Sequence, residues 1–166
     1  MLTQTRLKQL LDYNPETGVF TRRVVISNRT KVGDVAGTLN AKGYIIIRVD
    51  GKQYLAHRLA WLCAQGEFPP NEIDHINGIK TDNRICNLRA ATRSENAMNQ
   101  NMNARNTSGF KGVSWSKLRQ KWYAHCQVNG KKHYLGCFDT AEKASAIYEQ
   151  FATIRHGEFY CNILMT

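Results

Sequence analysis

The strongest constraint on this chain is a single stretch, IDHINGIKTDNRICNLRAATRSEN, running from Ile73 to Asn96. Asp74 and His75 stand together at its start, Asn87 follows twelve residues after the histidine, and Asn96 comes nine residues later. Glu72–Ile76 alternates polar and apolar residues in the manner of a short strand. Asn77-Gly78 and Thr81-Asp82-Asn83 are turn chemistry, so an ordered loop is predicted before a second strand. On that strand Leu88, Ala90 and Thr92 share one side, and the two strands form a small hairpin. Thr92-Arg93-Ser94-Glu95 reads as a capping box, with the Thr92 hydroxyl and the Glu95 carboxylate closing the first turn of a helix. Asn96 then falls in that first turn, facing the hairpin. Hard divalent cations prefer oxygen donors, and the Asp74 carboxylate and the Asn96 amide could supply two.

Taken together, Asp74, His75, Asn87, the capping box and Asn96 resemble the ββα-metal motif of HNH endonucleases. The companions Asn77-Gly78, Asp82-Asn83-Arg84 and Asn87-Leu88-Arg89 belong to the same likeness. The resemblance implies a metal-dependent DNA endonuclease. His75 would be the general base, and Asp74 and Asn96 would hold one divalent ion, Mg²⁺ or Mn²⁺. The ion would contact the scissile phosphate and stabilise the leaving 3′ oxygen. Asn87 would hold the loop and orient His75 through its backbone or a ring nitrogen.

Charge agrees with a polyanionic partner. The 166 residues carry 23 Lys+Arg against 13 Asp+Glu, a formal net charge of +10, and phosphate contacts made by such a chain release condensed counterions. The five cysteines, Cys63, Cys86, Cys126, Cys137 and Cys161, include no CxxC or Cys/His pair at zinc-ligand spacing. Their odd number and the lack of a signal peptide point to free thiols in a reducing compartment. No apolar run approaches a membrane span, and a cytoplasmic protein is expected.

Residues 1–54 read as β-rich support for the motif. Leu7, Leu10 and Leu11 form a short helical stripe that ends before the turn Asn14–Gly18. Val19–Arg22 resumes as a strand, followed by a loop-rich section carrying Arg22, Arg23, Arg29 and Lys31. Asp50-Gly51 joins two strands, Tyr44–Val49 and Lys52–Leu55, in a hairpin. This opening is similar to the small β-rich module that often precedes the motif in phage HNH proteins. Leu55, Leu59 and Leu62 then define an amphipathic helix over 55–66, and its His57 reads as a packed or capped helix histidine. The nuclease domain is therefore placed at 1–100, with 55–100 as the helix plus the motif.

A polar stretch at 101–108 reads as a linker, and 109–166 as a second unit. Three strands are predicted there, at Lys111–Ser114, Trp122–Val128 and Lys132–Phe138, the last two joined through Asn129-Gly130. A helix follows from Thr140, with Ala144, Ile147, Tyr148, Phe151 and Ile154 on one stripe. Gly109–Val113, Trp122-Tyr123-Ala124, Tyr134–Thr140, Ala141–Ala144 and Gly157-Glu158 with Asn162 resemble the AP2 DNA-binding domain. That likeness implies a three-stranded antiparallel sheet packed on one helix, reading the major groove through Lys111, Gln127, Lys132 and Tyr134. The family often has arginine or tryptophan at these four places. Lysine does not reproduce the bidentate grip of arginine on guanine, so this sheet should contribute affinity more than base specificity.

The whole chain is thus expected to be an α+β, two-module nuclease acting on double-stranded DNA, of the phage-encoded homing type. It contains no heptad run and no long apolar stripe, so a monomer that nicks one strand is favoured; a dimer assembled on DNA stays open. The competing reading is a non-catalytic AP2-type regulator with a silent nuclease fold.

Overall fold

The computed structural model describes residues 1–99, 102 and 106–159, apart from the side chains of His156 and Glu158. The chain is mixed α+β and divides into two compact units, Met1–Thr92 and Arg93–Thr166. Half of the predicted linker at 101–108, together with Cys161 and Asn162, lies outside the described residues.

In the first unit, α1 (Gln4–Leu10) is capped by Thr3, whose side chain accepts from the Arg6 amide at 3.2 Å. The helical stripe stops one residue earlier than its leucines suggest. Leu11 opens a strand, β1 (Leu11–Tyr13), which pairs antiparallel with β2 (Phe20–Arg22). Leu7 packs from the helix and Leu11 from the strand into one core with Phe20, Ile47, Leu59 and Leu62. A second sheet runs β3 (Thr38–Leu39), β4 (Ile45–Val49), β5 (Lys52–Leu55). Its tight turn places Asp50 and Gly51 at positive φ, 46° and 78°, as the primed turns matching strand twist require. The chain passes directly into α2 (Ala56–Gln65), which buries Ala56, His57, Leu59, Ala60, Leu62 and Cys63. Gly66 ends it in the left-handed region at φ 86°, its amide returning to Leu62 O at 3.1 Å.

The motif hairpin follows as β6 (Glu72–His75) and β7 (Leu88–Ala91), paired antiparallel with Asp74 opposite Arg89 and His75 opposite Leu88. On β7 the buried residues are Leu88 and Ala91, while Ala90 is exposed. The alternation predicted from Leu88, Ala90 and Thr92 therefore places the wrong alanine inside.

The second unit begins with α3 (Arg93–Met98), which starts where the Thr92–Glu95 box predicts. Strands β8 (Val113–Ser116), β9 (Lys121–Val128) and β10 (Lys131–Phe138) form an antiparallel sheet in the order β10-β9-β8. One long helix, α4 (Ala141–His156), packs on it. Asn129 and Gly130 turn β9 into β10 at φ 48° and 76°. The Thr140 side chain caps α4, accepting from the Lys143 amide at 3.3 Å. The buried stripe of α4 differs from the predicted one: it is Ala141, Ala144, Ser145, Tyr148 and Ala152, whereas Ile154 is 80% exposed and Ile147 stands at the edge. Alanines let the helix approach the sheet closely, and the bulk of this core comes from strand residues such as Val113 and Trp122.

Candidate active site

The site is built on the end of β6. Strand pleating turns alternate residues to opposite faces, and here both faces are covered, so Ile73, Asp74 and His75 are all buried. Asp74 is 3% exposed and His75 5%. Burial of a carboxylate demands a partner, and its cross-strand neighbour supplies one. Arg89 Nε donates to Asp74 Oδ2 at 2.8 Å, and Nη2 lies 2.7 Å from the same oxygen.

The loop between the strands is held by amide chemistry. Asn87 Oδ1 accepts from the Asn77 amide at 3.0 Å, while its Nδ2 donates to Asn77 Oδ1 at 3.0 Å and to Asp82 O at 2.9 Å. The backbone closes the same loop, with Ile76 N donating to Asn87 O at 2.9 Å. Asp82 accepts from Asn77 Nδ2 at 2.7 Å and receives Arg84 on both oxygens at 2.6 and 2.8 Å. That arginine, with the Asn77 amide, holds the Asp82 carboxyl down at about 2.

A different asparagine meets the histidine ring. Asn83, 1% exposed, sets its Oδ1 3.4 Å from His75 Nε2, and its own Nδ2 donates to Thr81 O at 3.2 Å. With Nε2–H directed at that oxygen, Nδ1 carries the lone pair. Asn83 was legible as a turn residue and a companion of the motif; its contact with the His75 ring follows from the loop path. That path is supported from far away in sequence. The Tyr13 hydroxyl donates to Asn83 O at 2.7 Å, and burial pushes this phenol up to about 12. Gly18, at φ 73°, lies so close to the loop that an added Cβ would stand 2.5 Å from Arg84 N and 2.6 Å from Asn83 C.

Three rings close the other side of the pocket. His57 meets His75 edge-on, with centroids 5.0 Å apart at 87°, and Tyr44 lies 5.3 Å from His57 and 6.0 Å from His75. His57 is 6% exposed, and its buried Nδ1 has no hydrogen-bond partner. Burial, reinforced by His75 and Arg58, pushes its pKa down to about 3. The His75 pKa is also lowered, chiefly by burial, against the opposing pull of Asn83, Asp74 and Asp82. Both imidazoles are therefore neutral near pH 7, and a neutral imidazole can accept a proton. Burial raises the Tyr44 phenol, aided by Glu72 and Asp74.

Asp74 is a hard anionic donor next to His75 in the chain, with a guanidinium on its Oδ2. Its chemistry fits a divalent cation. Among the described residues no three His, Cys, Asp or Glu side chains gather as a metal-binding group. A cation at Asp74 would therefore complete its shell with amide oxygen, water and substrate. Asn96 is half-buried in α3, in the second unit, whereas Asp74, His75 and Asn87 share the first. Cys63, Cys86, Cys126 and Cys137 are free thiols. Among the described residues no helix is long and apolar enough to cross a membrane.

In the second unit, register places Gln127 opposite Lys132 and His125 opposite Tyr134. These residues lie on the face away from α4, because the alternate residues Ala124 and Cys126 are buried under it. His133 lies on the helix side, 5.4 Å from the Phe151 ring. Lys132 is exposed and Tyr134 is 59% exposed. A shallow cavity of about 260 Å³ on this face is lined by Ser116, Arg119, Tyr123, Tyr134 and Cys137. There the Tyr134 hydroxyl donates to Cys137 Sγ at 2.9 Å, which together with Arg119 lowers the thiol pKa. Lys111 is turned elsewhere: its Nζ donates to Met98 O at 2.7 Å and anchors the end of α3.

A buried Asp-His pair stands on a short hairpin closed by an asparagine-braced loop, and a helix follows it in the chain. Residues 54–98 match the HNH endonuclease family. That segment spans α2, the hairpin and α3, and so crosses the boundary between the two units. The chain is 38% identical over 104 residues to Protein 3.8 of Escherichia phage T7, a match covering 62% of this chain and 85% of that protein. It is also 30% identical over 122 residues to an uncharacterized HNH endonuclease of Acanthamoeba polyphaga mimivirus, covering 73% of this chain and 63% of that one. No solved structure matches the chain.

Proposed function

We propose that the protein is a phage-encoded, metal-dependent endonuclease that hydrolyses phosphodiester bonds in double-stranded DNA. The observation that carries this reading is the buried, neutral His75 beside Asp74, with its Nε2 directed at Asn83. His75 takes the proton of the attacking water through Nδ1, the ring atom opposite the Asn83 contact. Asn83 keeps the ring in that tautomer and orientation, and Asn87 keeps the loop that carries Asn83. Asp74 and Asn96 are the residues that would hold the divalent ion, Mg²⁺ or Mn²⁺. When bound, such an ion supplies positive charge to the scissile phosphate and to the leaving 3′ oxygen. Arg89 shares the Asp74 oxygen and holds the carboxylate in place.

The second unit is read as an AP2-like DNA-binding domain. Its support is an antiparallel sheet with one face sealed by α4 and the other carrying Gln127, Lys132 and Tyr134. A two- or three-stranded ribbon of this kind fits the major groove. Lys111 joins this set through its charge while serving first as an anchor for α3.

Each chain carries one Asp-His set, so one strand is cut per encounter, in the manner of a nicking homing-type enzyme. The test is a time course on supercoiled plasmid with Mg²⁺ or Mn²⁺, with a chelator control. Accumulation of open circle that the chelator abolishes is expected. Direct conversion to linear DNA would overturn the single-strand reading, and DNA left intact under all conditions would favour a non-catalytic binding protein.

A further inference from the structure

The segment between β2 and β3 is an ordered loop that exposes apolar side chains. Its base is closed by Arg22 N to Asp34 O at 2.9 Å and Gly33 N to Arg22 O at 2.8 Å. Its tip is closed by Thr30, whose Oγ1 accepts from the amides of Ile26 and Ser27, both at 3.1 Å. Within this frame Val25 is 61% exposed, Ile26 53%, Val32 64% and Val35 70%. A loop that uses internal hydrogen bonds to hold β-branched side chains in water is built to meet something.

Charge identifies the occupant. Arg22, Arg23, Arg29 and Lys31 lie in the same segment, and Asp34 is its one acid. The Asp34 Oδ2 is already engaged by the Lys31 amide at 2.7 Å. The loop therefore offers basic flanks around an apolar tip, which suits a phosphate backbone with base edges and thymine methyls between its strands.

We propose that residues 22–35 form a DNA-contacting loop within the first unit, with Arg29 and Lys31 on phosphates and Val25 and Ile26 against the bases. This rests on the reading of the chain as a DNA nuclease and adds a contact surface separate from both the hairpin site and the C-terminal sheet. It also gives the first unit a grip of its own on the duplex.

The experiment is equilibrium binding of a duplex by the full-length chain, over a salt series, in the wild type, V25S/I26S and R29A/K31A. These side chains are exposed, and a thermal melt checks that each variant remains folded. V25S/I26S should weaken Kd about tenfold with the salt dependence unchanged, the amount expected for partial loss of apolar burial. R29A/K31A should flatten the log–log salt slope by about 0.9 per lost phosphate contact, roughly 1.8 for the pair. Unchanged affinity in V25S/I26S overturns the base contact, and an unchanged slope in R29A/K31A overturns the phosphate contact. Concentration-dependent dimerisation of the wild type that V25S/I26S abolishes would assign the tip to a second copy and overturn the proposal. The nuclease reading is scored separately by plasmid cleavage at saturating wild-type protein. Its failure leaves the binding comparison readable, and its success does not rescue an inert loop.

Discussion

His57 and His75 are imidazoles that the fold keeps uncharged, and this has a measurable consequence for stability. A group whose pKa is depressed in the folded state stabilises the fold above its unfolded pKa and loses that contribution as pH falls. For His57 the window runs from about 6.5 down to about 3, and His75 adds to its upper part. Asp82, held at about 2, acts only below the ordinary carboxylate range, so measurements between pH 7 and 4.5 report the histidines. Each fully titrating histidine steepens the loss toward about 1.4 kcal/mol per pH unit. His125, also depressed chiefly by burial, contributes in the second unit, so the informative quantity is a difference between variants. His57→Phe keeps the ring packing against Tyr44 and His75 and removes the buried, unpartnered Nδ1. Urea unfolding of this variant should show a pH slope shallower by about one proton; a slope equal to that of the wild type would mean that His57 titrates normally in the folded chain.

At the scale of elements, the loop between β6 and β7 depends on a hairpin that the sequence placed merely upstream. The Asn14–Gly18 turn between β1 and β2 puts Gly18 against the backbone of Asn83 and Arg84, and Tyr13 bonds Asn83 O across 70 residues. Gly18→Ala adds a Cβ into backbone at a left-handed φ, where neither the chain conformation nor the neighbour can yield cheaply. The expected loss is about 1–3 kcal/mol, together with a lower cleavage rate, because displacement of Asn83 moves the His75 ring. A melt and a rate both like those of the wild type would sever the hairpin from the site. Local chemistry made much of this molecule legible. The Asp50-Gly51 and Asn129-Gly130 turns, the α2 span and the Asp74-His75 strand are written in neighbouring residues. The Asn83 contact was not, because it depends on where a loop folds. Tyr13 and Gly18 were invisible for the same reason: their partners are distant in sequence. The α4 stripe misled because hydrophobicity alone does not reveal which face of the helix the sheet covers; Ala141, Ala144 and Ala152 took that face, and Ile154 was left in water.

At the scale of the whole molecule, the proposed function rests binding and cutting on different residues. Positive charge is spread over both units, in the Arg22–Lys31 loop and on the open face with Lys132, whereas the proposed chemistry converges on one imidazole in the first. A substitution at that imidazole should therefore separate the two functions. His75→Ala leaves Asn87 holding its loop and leaves both basic surfaces intact, so duplex affinity and its salt dependence should stay at wild-type values. The decisive measurement is the single-turnover cleavage rate of His75→Ala with DNA saturated, set against the wild type in the same metal. The account predicts a loss of about 10²–10⁴-fold, the typical contribution of a general base, with unchanged binding. Cleavage within a few-fold of the wild-type rate would contradict it.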